Sequence, residues 1–146
     1  MTRIQKYWDS FKKTEGLAAD LDYYEAFSFG IGEKDADELL ELVLAGKKRA
    51  TTSPYLKNEK YCKPGDYSIV LDSKGEPRCI IRTVSTRIMA FREMTFDVCR
   101  LEGQDECLDT WIEKHVAFLR ESGKELGYEF SYDMPIIFEE FTVVCR

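Results

Sequence analysis

The sequence predicts an α+β fold: a mostly antiparallel sheet of short strands, curling into a small barrel and flanked by about three α-helices. Three observations lead there. Apolar residues recur at helical spacing in three separate segments, β-branched and aromatic runs bounded by turn residues lie between them, and the two kinds of segment alternate without βαβ regularity or internal repeat. A chain of 146 residues with 44% hydrophobic and 13% aromatic content supplies one domain, 1–146, with a real core.

Residues 3–14 place Ile4, Trp8 and Phe11 on one helical face ending near Gly16, so 1–20 reads as an N-terminal packing helix. Phe27 and Phe29 alternate with small residues before Gly30 and Gly32, which favours a short strand. Asp35 is placed to cap a second helix whose stripe is Ala36, Leu39, Leu40, Val43 and Leu44, closed by Gly46. Pro54 keeps that helix from resuming, and Lys63-Pro64-Gly65-Asp66 announces a turn. Residues 67–72 and 78–84 read as strands of a hairpin closed by Ser73-Lys74-Gly75-Glu76, with β structure continuing through Ile88 to Phe91. Leu108, Trp111, Ile112, His115, Phe118 and Leu119 mark a third helix over 106–121. The β-branched and aromatic run 136–144 is a final strand.

With 21 Lys and Arg against 27 Asp and Glu, the net charge is -6, a field that repels long polyanions; contact with nucleic acid must be local. The chain has neither an apolar run long enough to span a bilayer nor an apolar signal-peptide core after Met1, so a cytoplasmic protein without a membrane partner is expected. Five cysteines without a Cys-x-x-Cys pair, and a single histidine, recommend no disulfide framework, metal or cofactor. Most of the cysteines read as small buried hydrophobes. His115 shares the stripe of Leu108, Trp111 and Leu119 and reads as a hydrogen-bonded packing histidine.

Against that acidic background, Lys47-Lys48-Arg49-Ala50-Thr51-Thr52-Ser53 packs three cations and three hydroxyls into seven positions after a helix end. Such side chains attract oxyanions, polarise carbonyls and donate, accept or attack. Two plainer readings compete: cations favoured by a helix C-terminus at about 0.3–1 kcal/mol, and hydroxyls serving a strand or turn backbone.

Ordered blocks over more than a hundred residues identify a family resemblance. They are Phe27-Ser28-Phe29-Gly30, Ala36-Asp37-Glu38-Leu39-Leu40, Leu44 to Ser53, Gly65 to Asp72, Gly75-Glu76-Pro77, Ile80-Ile81-Arg82-Thr83, Glu102-Gly103, Trp111 with His115, and Asp133-Met134-Pro135. Together they resemble the ASCH-domain family. The resemblance implies a PUA-like β-barrel, related to the RNA-binding domains of pseudouridine synthases and archaeosine transglycosylases, with a cleft beside the barrel. One small bacterial branch removes the acetyl group from N4-acetylcytidine with a lysine, a threonine and a glutamate; the Gly-x-Lys-x-x-Thr pattern carries those roles to Lys48 and Thr51, and Glu102 takes the third. The chain departs from that branch in its length and in the sequence between Thr51 and Gly65, which bears on the substrate.

Under that resemblance Thr51 Oγ or a water attacks an acyl carbon, Lys48 takes a proton or steadies the oxyanion, and Glu102 orients the lysine and shuttles the proton. Arg49, Thr52 and Ser53 are supporting residues. Phe29 and Tyr55 are candidate base-stacking rings, while Arg82, Ser131 and Asp133 are candidates for the cleft wall or mouth. Core packing for Phe29, solvent for Arg82 and turn capping for Ser131 and Asp133 are the competing readings. Partners are a modified nucleoside or short RNA. The function expected is a hydrolase of N4-acetylcytidine or of RNA, or alternatively a non-catalytic RNA- or nucleotide-binding module. Glu102 by itself also reads as part of a solvated loop, 102–106, ahead of the third helix.

Overall fold

The computed structural model describes every residue from Met1 to Arg146. Its strands are β1 (Glu25–Phe27), β2 (Ala50–Pro54), β3 (Tyr67–Leu71), β4 (Pro77–Ala90) and β5 (Pro135–Cys145), and its α-helices are α1 (Arg3–Glu15), α2 (Gly32–Leu44), α3 (Phe96–Cys99) and α4 (Leu108–Leu126). The strands form one sheet in the order β1-β3-β4-β5-β2, with β1 parallel to β3 and every other pair antiparallel. This is a mixed half-barrel of α+β, PUA-like type. β4 is its spine: the first part pairs with β3, and residues 80–90 pair with β5 through register shifts at Ile80/Ile81 and Thr83/Ser85. Such irregularities bend a strand and increase its twist.

The pleat decides which helix each strand residue meets. Ile69 and Ile80 are register partners that pack against Trp8 and Phe11 of α1. The adjacent Val70, with Cys79, Ile81 and Phe141, faces Leu40 and Val43 of α2 on the other side. Side chains alternate across a strand, so this stretch of sheet is buried on both faces. Farther along β5, Ile136 and Phe138 join Ala50, Phe91, Trp111 and Leu119 in a third cluster under α4.

Helix ends follow sequence chemistry with two corrections. α1 starts at Thr2, whose hydroxyl accepts from Gln5 N–H, and stops at left-handed Gly16. α2 begins at Gly32, earlier than expected. Asp35 is not its cap: it lies inside the first turn and its Oδ2 accepts from Ile31 N–H at 3.3 Å. α2 closes as anticipated, with Gly46 left-handed and the N–H groups of Lys47 and Lys48 both donating to Leu42 O. α4 runs to Leu126, five residues past the expected limit. The segment before it forms a one-turn helix, α3, and a single 3-10 turn, Arg100–Glu102, too short for apolar periodicity to predict. All five cysteines are free; Cys79 and Cys99 are buried, Cys62 and Cys145 half-buried, and Cys107 exposed.

The 3-10 turn is tied to the strand that carries the basic motif. Arg49 N–H donates to Leu101 O at 2.8 Å, and Phe141 N–H donates to Arg49 O at 2.9 Å. Gly103 follows the turn with φ 73°, and a Cβ there would overlap the Lys47 carbonyl. Only glycine fits both conditions. Gly103→Ala is expected to lower stability by about 2–4 kcal/mol, read by urea denaturation, because positive φ and a backbone clash act together.

Candidate functional site

Burial along the basic motif has a period of two: Lys48, Ala50, Thr52 and Pro54 are buried, and the intervening Arg49, Thr51 and Ser53 are more exposed. β2 is thus already extended in effect at Lys48. The pleat turns Lys48 and Thr52 to one face, toward the 3-10 turn that carries Glu102. Lys48 is 2% exposed and Glu102 1%.

These residues meet in a closed network. Lys48 Nζ donates to Ala50 O at 2.8 Å, Glu102 Oε1 at 3.3 Å and Gln104 Oε1 at 3.4 Å, so all three ammonium protons have acceptors. Glu102 Oε2 accepts from Thr52 Oγ1 at 2.8 Å and from Trp111 Nε1 at 2.7 Å. His115 completes the ring: it stacks on Trp111 with centroids 4.0 Å apart, and its Nε2 lies 3.3 Å from Glu102 Oε1. Its Nδ1 lies 2.9 Å from the Trp111 carbonyl, which only accepts, so Nδ1 carries a proton. Trp111 and His115 reach Glu102 together because they are one turn apart on α4.

Burial by itself would raise the Glu102 pKa, but Lys48, His115 and the Trp111 N–H outweigh it and hold the carboxyl down at about 2. Burial pushes the Lys48 ammonium below its ordinary value, partly opposed by Glu102. Three acceptors and no donor face Nζ, which favours the charged form; the pair is an ammonium and a carboxylate.

The network forms one wall of a cleft of about 530 Å³ between α2 and α4. Thr51 and Thr52 line it; Ile31, Leu39 and Phe118 supply apolar surface together with Phe29, which is otherwise packed in the core cluster against α2, and Asp35, Glu38 and Lys114 line it as well. The Phe29 ring is 5.3 Å from Lys48 Nζ, within cation–π range. No group of three or more His, Cys, Asp or Glu side chains is arranged to hold a metal ion.

Of the residues singled out from sequence, Lys48, Glu102, Thr52, Thr51 and Phe29 come together here. Glu102 is not in a solvated loop. Thr51 borders the cleft, but its hydroxyl makes no hydrogen bond to Lys48 or Glu102; Thr52 holds that position. The others lie outside the cleft lining. Arg49 is exposed, and Ser53 belongs to a smaller cavity beside Glu139. Tyr55 packs against Tyr61 in a tilted pair, Arg82 covers the Tyr67 ring, Asp133 pairs with Arg92, and the Ser131 carbonyl accepts from Met134 N–H. Alternation along one strand and the spread of these residues over different elements account for the separation. Trp111, His115, Gln104 and Lys114 were missed. Two were visible as a Trp-x-x-x-His step on a helical stripe, which normally means core and here means core and site at once.

The folded state favours ionised Glu102, with a pKa of about 2 against an ordinary 4.5. Its stabilising contribution is therefore complete above about pH 4.5 and lost as pH falls toward 2. Burial raises Glu25 and Glu139, which act in the opposite sense, so the comparison must be with a variant. Denaturation midpoints measured through this range should fall more steeply for the wild type than for Glu102→Gln.

The family model described as the ASCH domain matches residues 25–145. A protein from Enterococcus faecalis V583, EF3133, has a crystal structure that superposes with a TM-score of 0.87 at 30% identity, covering 98% of this chain and 93% of its own. An ASCH domain from Lactobacillus crispatus JV V101 gives 0.88 at 27% identity, covering 99% and 95%. The hypothetical protein PH0355, at 19% identity and a TM-score of 0.56 over 82% of this chain and 98% of its own, shares the fold. None of the curated proteins matches the chain. No helix is long and apolar enough to cross a membrane. A match across 25–145, on a half-barrel whose cleft holds the motif residues, means that the chain belongs to the ASCH-domain family.

Proposed function

We propose that the cleft recognises a modified nucleoside and hydrolyses an acyl amide on its base, with N4-acetylcytidine as the representative substrate. The observation that supports this most is the buried Lys48–Glu102 pair bordering a cleft with an aromatic wall. A fixed ammonium beside a ring offers one group to a carbonyl oxygen and one surface to a planar base. The fold family commonly binds RNA, so a nucleoside is a natural ligand class.

In this reading Lys48 gives up its longest contact, 3.4 Å to Gln104 Oε1, and donates that proton to the acyl oxygen as the oxygen gains charge. An oxygen nucleophile, Thr51 Oγ or a water, forms the new C–O bond; collapse breaks the C–N bond and the nucleophile's proton leaves on the N4 amine. With water the products are acetate and cytidine directly. With Thr51 a second water cleaves the acyl ester. Glu102 acts by holding Lys48, since Lys48, Thr52, Trp111 and His115 already surround its oxygens and its pKa of about 2 makes it a poor proton acceptor at neutral pH.

That same saturation favours a second reading, recognition without turnover. Incubation with N4-acetylcytidine, followed chromatographically, separates the two. Hydrolysis predicts cytidine release by the wild type and a loss of roughly 100-fold or more in Lys48→Met. Thr51→Val abolishes turnover if Thr51 is the nucleophile and spares it if water is. Binding with no cytidine released selects the second reading, and equal turnover by wild type and Lys48→Met overturns the hydrolase assignment.

A further inference from the structure

We infer that the cleft discriminates by charge, taking an uncharged nucleoside and rejecting its phosphorylated counterpart, with Asp35 and Glu38 on α2 as the specificity-determining residues; this rests on the nucleoside reading of the site. Four observations lead to it.

The cations that line the cleft are already engaged. Lys48 spends its three donors on Ala50 O, Glu102 and Gln104, and Lys114 Nζ lies 2.9 Å from Asp105 Oδ1 and donates to Gln104 O at 3.4 Å. A phosphate entering here would have to displace one of these contacts to gain a cation.

The α2 N-terminus, whose Gly30 and Ile31 approach line the cleft, would ordinarily attract an anion through its free amides and dipole. Asp35 already supplies the negative charge there, with Oδ2 on Ile31 N–H and its Cβ packed so closely on Gly30 that no side chain could replace the glycine hydrogen.

Glu38 adds a second carboxylate to the same wall, one turn farther along α2. Its sole nearby cation is Lys34 at 3.8 Å; both side chains are largely solvated, at 86% and 62% exposure, and such a pair neutralises little.

Apart from Glu102 and His115, which belong to the Lys48 network, the rest of the lining is apolar or uncharged, including Phe29, Ile31, Leu39, Ala117 and Phe118. It suits a base and sugar. The net charge of -6 works in the same direction at longer range.

The test is calorimetric titration of N4-acetylcytidine and its 5′-monophosphate into wild-type protein, Glu38→Lys and Asp35→Asn at low and high salt. Wild type should bind the nucleoside at least about tenfold more tightly than the monophosphate, and the ratio should narrow as salt screens the wall. Glu38→Lys should reduce that preference by about tenfold, and Asp35→Asn by less. Equal or tighter binding of the monophosphate by wild type overturns this inference while leaving the nucleoside reading intact. Binding of neither ligand overturns both.

Discussion

Everything notable about the cleft depends on a charge pair held out of water. Lys48 and Glu102 come from elements fifty-four positions apart and are almost fully buried. Burial of two ions is tolerable only when geometry and auxiliary hydrogen bonds compensate for lost hydration. Here the compensation comes from a backbone carbonyl, a glutamine, a threonine, a tryptophan and a histidine. Three constraints supply them: the β2 pleat provides Ala50 O and Thr52, the loop after the 3-10 turn Gln104, and one turn of α4 Trp111 and His115. The site is therefore a consequence of how β2, the 3-10 turn and α4 are locked together, more than of any single motif.

The pair also separates two roles that a list of polar residues would merge. Glu102 is an organiser, because its oxygens are surrounded and its proton affinity is low. Lys48 is a fixed cation with the Phe29 ring 5.3 Å from its Nζ. What remains for a ligand is a surface with an aromatic wall, a polarising ammonium and a carboxylate-bearing flank on α2. A polyanion track would need unpaired cations along the cleft, and the lining provides none.

Much of this was legible beforehand. The three long helices, the 73–76 hairpin turn, the final strand and the glycine that ends α2 follow from periodicity and turn chemistry, which are local. Lys48 and Glu102 followed from the family pattern, and Phe29 from an aromatic block. What was not legible depends on tertiary context. Counting three positions from Lys48 reaches Thr51, which borders the cleft, while the strand pleat, counting two and four, brings Thr52 to Glu102. His115 was read as a packing residue because its stripe is apolar; it does pack, on Trp111, and its other edge faces Glu102. Residues 96–102 form a one-turn helix and a 3-10 turn, too short to show a period and held by Arg49 N–H on Leu101 O and by the close approach of the Lys47 backbone to Gly103. Arg82, Tyr55, Ser131 and Asp133 lie outside the lining of the cleft.

The central claim is that Lys48 and Glu102 act as one interdependent unit. A double-mutant cycle in denaturant, with Lys48→Met, Glu102→Leu and the pair, addresses it most directly. Each single change should cost about 3–5 kcal/mol by leaving an uncompensated buried charge, while the double variant should cost no more than one single, because both charges have gone. Additive losses would contradict the account and reduce the pair to two independent polar residues in a cleft.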